Sequence, residues 1–195
     1  MYWWGGFTIK DNAGANNQNN DTVADGPAEG TTVKDKKYIY KVTKAGSKDG
    51  SVVGELEVVG LKKKSLKVIK IAKSVKIGGV KYKVTSVGKG AFKGNKKITK
   101  VFIGKSVKKI GANAFAGCKK LKQVSINSKV LRSIGKNAFK GDKKLVKIIV
   151  KSTKLKSVGK GALKATSKKL VVKVPKAKKS AYAKKFKKAG NKKVK

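Results

Sequence analysis

Residues 108–126 read KKIGANAFAGCKKLKQVSI, and the same pattern of apolar and glycine residues occurs three more times in the chain. One copy begins upstream at Ser86 as SVGKGAFKGNKKITKVFI, and another begins downstream at Ser133 as SIGKNAFKGDKKLVKIIV. A weaker copy begins at Ser157 as SVGKGALKATSKKLVVKV. The large apolar residue of each copy follows the previous one after 23, 24 and 24 residues, at Phe92, Phe115, Phe139 and Leu163. Such a period is typical of a solenoid of stacked repeats.

Each copy ends in a pattern that predicts a short β-strand. In the second copy, Leu121, Val124 and Ile126 form L-x-x-V-x-I, whose alternation indicates a strand with one buried face. The glycine and alanine residues before this strand turn the chain and leave room for a phenylalanine between neighbouring copies. A unit this small cannot bury that face alone, so the copies must stack and share one continuous core.

The full motif, I-G-x-x-A-F-x-G-C-x-x-L-x-x-V-x-I, resembles the BspA-like bacterial leucine-rich repeats of the Treponema type. The resemblance covers roughly residues 58–175, with four linked copies. It implies a horseshoe solenoid with short parallel strands and connections made of turns or short helices. It also implies a secreted or cell-surface protein, because this family is often credited with adhesion or host-protein binding.

Outside the four copies, the sequence predicts a linker and two caps. The Asn-, Gly- and Asp-rich stretch 11–33 has almost no large apolar residue, which favours a flexible linker. The runs YIYKV from Tyr38 and SVVGELEVV from Ser51 predict two strands, and Gly78-Gly79 predicts the turn of a β-hairpin. The predicted segments are a linker or remnant of a preceding domain (1–33), an N-terminal cap with a degenerate first repeat (34–83), four leucine-rich repeats (84–175), and a C-terminal capping helix with a basic tail (176–195).

Both terminal segments leave a functional alternative open. The residues from Tyr2 to Phe7 include four aromatics, which could form a platform for sugars or could belong to a tag or a preceding domain. Near the other end, a predicted helix places four apolar residues on one face: Ala181, Tyr182, Phe186 and Ala189. This basic amphipathic helix either binds a membrane surface or covers the last repeat. We favour the cap, because the end of the solenoid otherwise has no cover.

Positive charge is concentrated in the repeats. The chain has 52 basic residues and 9 acids, which gives a formal net charge of +43. Eight of the acids and only seven lysines precede Val58, so the remainder of the chain has 45 basic residues and a single acid, Asp142. No apolar run approaches the roughly 20 residues that a membrane span requires.

The residue types needed for catalysis or metal binding are scarce. The chain has no histidine, and its single cysteine, Cys118, excludes an internal disulfide and a Cys/His zinc site. We interpret Cys118 as a small, half-buried residue of the repeat. Glu55 and Glu57 alternate along one predicted strand, but they lack a companion nucleophile, so we expect them on a solvated face. The sequence therefore predicts a protein without cofactor or enzymatic activity.

Paired lysines recur at one point of every repeat and should form rows along the stacked copies: Lys96 and Lys97, Lys119 and Lys120, Lys143 and Lys144, and Lys168 and Lys169. These rows could keep a narrow solenoid soluble, or they could attract polyanions such as anionic glycans. A specific nucleic-acid site is not expected, because lysine lacks the planar fork with which arginine reads phosphates and bases.

The strand residues that point away from the core provide a second candidate surface. In register they are Lys100 and Phe102, Gln123 and Ser125, and Lys147 and Ile149, with Phe102 and Ile149 as apolar anchors. They either bind a partner on the concave sheet or are strand formers on a solvated face. The predicted function is a monomeric, secreted or cell-surface module that binds a host or neighbouring-cell protein or an anionic glycan. The alternative is a structural spacer or scaffold in a larger surface protein, with only non-specific polyanion binding.

Overall fold

The computed structural model describes residues 26–191 and 193–195. The aromatic cluster from Tyr2 to Phe7 and most of the predicted linker lie outside these residues. The strands are β1 (Thr32–Lys34), β2 (Tyr38–Lys44), β3 (Gly54–Leu61), β4 (Val68–Lys70), β5 (Ser74–Ile77), β6 (Val80–Val87), β7 (Lys100–Ile103), β8 (Lys109–Ile110), β9 (Gln123–Ile126), β10 (Ser133–Ile134), β11 (Lys147–Val150), β12 (Ser157–Val158) and β13 (Val171–Lys173). A 3-10 turn at Lys176–Lys178 leads into helix α1 (Lys179–Lys188).

The strands form two sheets that run along a solenoid of about five coils. One sheet has five parallel strands in the order β13-β11-β9-β7-β4. The second contains β3, β6, β8, β10 and β12 as parallel neighbours, with β1 and β2 added antiparallel at one end and β5 hairpinned onto β6. Each coil contributes one strand to each sheet, for example β8 and then β9. The predicted repeat solenoid is confirmed.

The turns between the two sheets stack through their own hydrogen-bond ladder. The N–H groups of Gly90, Phe92 and Gly94 donate to carbonyls of the next coil at 2.9, 2.8 and 2.8 Å. The following coils repeat these bonds one coil further along. The coils approach so closely that a Cβ at Gly135 would lie 2.5 Å from the Ala112 nitrogen, which explains why this position is glycine.

The core lies inside the coils and consists of aliphatic residues around a column of aromatic rings. The Phe92 and Phe115 rings stack with centroids 5.0 Å apart, and the Phe115 and Phe139 rings stack at 5.4 Å. All three side chains are buried, and Leu163 continues the column at the end. Offset aromatic stacking contributes about 0.5–1.5 kcal/mol per pair beyond the burial of area.

The N-terminal cap covers the first coil and begins earlier than the sequence predicted. Thr32–Lys34, which the prediction placed mainly in a flexible linker, pairs antiparallel with β2, and the half-buried Val33 packs against the core. Tyr38 protects the open edge of β4: its hydroxyl accepts the Lys70 N–H at 2.9 Å and donates to the Lys70 carbonyl at 3.1 Å. The predicted hairpin turn at Gly78-Gly79 is confirmed by the β5–β6 pairing.

Helix α1 covers the last coil. Its buried residues are Tyr182 and Phe186, and Ala189 directly after the helix is also buried. Ala181, which the helical pattern placed on the same face, is exposed, because the face that meets the solenoid is narrower than the predicted one. The Tyr182 hydroxyl accepts the Leu155 N–H at 2.9 Å, which ties the helix to the turn below it.

Candidate functional site

The six residues that the sequence predicted for the strand face fall into two rows across the five-stranded sheet. Lys100, Gln123 and Lys147 are register partners on β7, β9 and β11, and Phe102, Ser125 and Ile149 form the parallel row beside them. Neighbouring strands in a sheet are about 4.8 Å apart, so Phe102 and Ile149 flank Ser125 at roughly 10 Å from each other.

Phe102 and Ile149 give this face an apolar centre. Both side chains are half-buried, and neither belongs to the hydrophobic core. Ser125 between them is only 7% exposed, which corrects the prediction that it contributes to the accessible surface. Its hydroxyl accepts a hydrogen bond from Gln123 Nε2 at 3.1 Å, so this polar group already has a partner.

The two rows extend further than the sequence analysis predicted. On β4, Val68 and Lys70 pair with Lys100 and Phe102, and on β13, Val171 and Lys173 continue the same rows. The row through Phe102 therefore has a lysine at each end. The sequence could have predicted this extension, because the degenerate first repeat and the weak fourth copy have the same alternating strand pattern as the other repeats.

The eight lysines of the predicted rows are all exposed on the turns before the strands of the five-stranded sheet. Within residues 26–191 and 193–195, the single ion pair joins Lys108 Nζ to Glu55 Oε1 at 2.7 Å, and it involves none of the eight. In these coils the lysines therefore face solvent without an acidic partner. They form a broad basic surface, with no cavity that gathers all of them.

Glu55 and Glu57 share one face of β3, as predicted, but they contact neighbouring coils instead of only solvent. Burial tends to raise the pKa of Glu55, and hydrogen bonds from Lys108 and Thr85 outweigh it, so the pKa lies below its usual value. Glu57 Oε2 accepts the Ser86 hydroxyl at 2.9 Å. These carboxylates join the N-terminal cap to the repeats. The sequence did not predict this role, because it depends on which coils lie next to β3.

Cys118 and Asp142 are buried inside the turns of adjacent coils. Asp142 Oδ1 accepts the Cys118 N–H at 2.8 Å, and the Cys118 thiol donates to the Phe92 carbonyl at 3.2 Å. Burial, with a further contribution from the Asp142 charge, raises the pKa of Cys118 to about 12. The thiol therefore remains protonated at neutral pH, which fits a structural role and not that of a nucleophile.

Residues 26–191 and 193–195 contain no group of three or more His, Cys, Asp or Glu side chains that could hold a metal ion. Within these ranges, no helix has the length and apolar character to cross a membrane.

The comparison with protein families identifies the repeats. The family described as BspA type leucine rich repeat region matches residues 62–193 in six copies. A comparison with curated protein sequences gave no match.

Solved structures show the same fold. A leucine-rich repeat protein from Bacteroides capillosus has a TM-score of 0.60 at 24% identity, over 74% of this chain and 98% of that one. One from Bacteroides ovatus has a TM-score of 0.58 at 31% identity, over 74% of this chain but 37% of that one. A leucine rich cell surface protein from Faecalibacterium prausnitzii has a TM-score of 0.52 at 22% identity, over 78% of this chain and 44% of that one. The chain thus spans less than half the length of two of these three relatives.

Proposed function

Because the chain belongs to the BspA-type leucine-rich repeat family, we propose that it is a binding module of the cell surface or the extracellular space, which holds a protein partner on the outer face of the five-stranded sheet. The observation that carries the proposal is the pair Phe102 and Ile149, which are accessible, lie outside the core and are held in register on β7 and β11, on either side of β9. The module acts by recognition and carries out no chemistry of its own.

The chemistry of this face suits a protein interface. An apolar centre contributes most of the binding energy, and a polar rim contributes orientation. Burying one large apolar side chain contributes about 1.5–3 kcal/mol. The rim consists of Lys70, Lys100, Lys147 and Lys173, which favours a partner that presents an apolar knob surrounded by acidic residues.

The location and the oligomeric state are parts of the same proposal. The Faecalibacterium prausnitzii protein that shares the fold is described as a cell surface protein, which supports a surface location for this chain. We propose that the module is monomeric, so that the sheet face stays free for its partner.

The test is a binding measurement with purified extracellular host proteins, repeated from about 50 to 500 mM salt to remove purely ionic contacts. We expect one partner whose binding survives high salt and falls at least about tenfold with Phe102→Ala or Ile149→Ala. The matched control is Ile39→Ala, which removes a half-buried isoleucine on β2 of the other sheet, also outside the core. This control should bind like the unaltered protein.

Two results would contradict the proposal. Binding to every acidic protein that disappears as salt rises would mean that net charge alone is responsible. No binding to any member of the panel would instead favour a structural spacer, in which the repeats separate other domains of a larger surface protein.

A further inference from the structure

A groove lies beside the five-stranded sheet, at the carboxyl ends of its strands. It has a volume of about 960 Å³ and is lined by Lys73, Gly104, Lys105, Asn127, Lys129 and Lys151. We call this the lysine groove. None of these residues belongs to the lysine rows or to the strand face discussed above. The groove borders that face at Lys151, which also lines a shallow depression with Ile149 and Lys173.

The lysines of the groove come from four successive coils. Lys73 follows β4, Lys105 follows β7, Lys129 follows β9 and Lys151 follows β11. Because these strands are neighbours spaced about 4.8 Å apart, the groove extends roughly 14 Å along the solenoid. Its shape therefore suits an elongated ligand that lies across the coils.

The floor of the groove is held rigidly. A Cβ at Gly104 would lie 2.5 Å from the Ala72 carbonyl oxygen, so the adjacent turns are in close backbone contact. The buried Ser152 hydroxyl donates to the Leu131 carbonyl at 2.8 Å and lies 3.1 Å from the Lys129 carbonyl. The backbone that positions the lysines is thus ordered before any ligand arrives, which lowers the entropy cost of binding.

The groove is strongly electropositive and has no acidic residue in its lining. All four lysines are exposed, and the single ion pair among the described residues, between Lys108 and Glu55, involves none of them. The cost of holding four like charges on adjacent coils is about 1 kcal/mol for each close pair in water. A polyanion would remove this repulsion and release bound counterions.

We propose that the lysine groove binds a short stretch of a linear sulfated polysaccharide. Lysine ammonium groups act as point charges that meet sulfates in several orientations. The aliphatic stems of the lysines offer apolar surface to the sugar rings. Asn127 adds an amide that can both donate to and accept from sugar hydroxyls.

The composition of the groove argues against other polyanions. Single-stranded nucleic acids are held largely by bases stacked on aromatic side chains, and the groove has none. A bare polyphosphate would satisfy the lysines but would leave the Asn127 amide and the apolar stems without a role. A sugar backbone that carries sulfate groups uses all three features.

The experiment titrates the whole chain with a heparin-derived octasaccharide at about 150 mM salt and follows binding by calorimetry. The groove variant replaces Lys73, Lys105, Lys129 and Lys151 with Gln. The matched control replaces Lys96, Lys119, Lys143 and Lys168 with Gln, which removes the same charge from four successive coils at another place. All eight side chains are exposed, so circular dichroism should show both variants folded.

We expect the groove variant to lose about tenfold or more in affinity. The slope of log affinity against log salt concentration should become shallower by about three, because fewer ammonium groups displace counterions from the polyanion. The control should lose less than about threefold. Equal losses in the two variants would overturn the proposal, because a diffuse field would then explain binding. Equal or tighter binding of inorganic polyphosphate or a single-stranded oligonucleotide of the same charge would overturn the choice of a sulfated glycan.

The outcome is independent of the protein-binding proposal. Phe102→Ala and Ile149→Ala should leave the octasaccharide affinity unchanged, and the groove variant should keep the salt-resistant protein partner. Failure of one proposal would therefore be recognised while the other stands.

Discussion

In the middle coils Phe92, Phe115 and Phe139 stack ring on ring, whereas the last coil places Leu163 at the same point of the turn. Two residues later the middle coils have glycine in the left-handed conformation, as at Gly117 with φ 75°, and the last coil has Ala165 at φ 57°. At this position the backbone has the same left-handed conformation although the side chains differ.

This difference shows that the path of a coil is imposed by its neighbours. Phe139 donates its N–H to the Ala162 carbonyl at 2.9 Å, and Leu163 makes the corresponding bond of 2.9 Å to Ala189 after the helix. The ladder thus continues from coil to coil and onto the cap, and it holds even an unfavourable alanine in place. Side-chain fit then determines how much each coil contributes to stability.

The largest effect is expected from removing a ring in the middle of the column. Phe115→Ala removes stacking on both sides and leaves a cavity, so we expect a loss of about 3–5 kcal/mol in the free energy of unfolding. Leu163→Ala should cost less, about 2 kcal/mol, because only one coil and helix α1 pack against it. Urea unfolding followed by circular dichroism measures both changes.

Phe115→Leu sharpens the same comparison, since it gives a middle coil the side chain of the last one. We expect a cost of about 1–1.5 kcal/mol from lost stacking and imperfect fit. If Leu163→Ala cost as much as Phe115→Ala, the last coil would be packed as well as the middle ones and the comparison would fail.

The next prediction concerns how stability depends on pH through the buried carboxyl of Asp142. The last coil has Thr166 at the equivalent position, and its hydroxyl donates to the Leu163 carbonyl of the same turn. Burial raises the pKa of Asp142 from 3.8 to about 8, against the opposing hydrogen bond from the Cys118 N–H. Between these values the folded protein holds one proton more than the unfolded chain. Stability should therefore fall as pH rises from about 4 to 8, because the folded carboxyl keeps its proton over this range while the unfolded one loses it.

Asp142→Asn isolates this contribution, because the amide oxygen still accepts the Cys118 N–H and does not titrate. Urea midpoints measured at several pH values should diverge, with the variant more stable above pH 7 and little changed near pH 4. Parallel curves for the two proteins would show that the Asp142 carboxyl is not the titrating group.

The sequence alone was sufficient for the repeated unit and for much of the candidate site. The 23- and 24-residue spacing and the L-x-x-V-x-I pattern predicted the stacked strands and the outward positions of Phe102 and Ile149. The burial of Ser125 could not be predicted, because it depends on the side chains that neighbouring strands place on either side. The pairing of Thr32–Lys34 also escaped prediction, since a short polar strand is stabilised only by the strand it joins.

The lysine groove could not be predicted from the sequence for a related reason. Its four lysines stand one to three residues after the ends of their strands and share no single repeat position, so no periodic pattern marks them. Only the lateral stacking of the turns brings them to one surface. A site formed within one repeat can be predicted from the sequence. Predicting a site formed by several repeats also requires knowledge of the register in which the coils stack.

The smallest effect tests whether the ladder holds Ala165 under strain. A left-handed conformation costs a non-glycine residue about 1–2 kcal/mol, and glycine loses about 0.4–1 kcal/mol through its freer unfolded state. Ala165→Gly should therefore stabilise the protein by about 0.5–1 kcal/mol, measured by urea unfolding.

Gly117→Ala is the matched reverse change in a middle coil. A Cβ there would lie 3.7 Å from Gly94 Cα, an ordinary contact, so its cost of about 0.5–1 kcal/mol should come from the backbone alone. Opposite and similar changes would mean that the last coil differs from the middle ones in side chains but not in backbone path. No gain from Ala165→Gly, beside a loss from Gly117→Ala, would show instead that the last coil relaxes away from the path its neighbours impose.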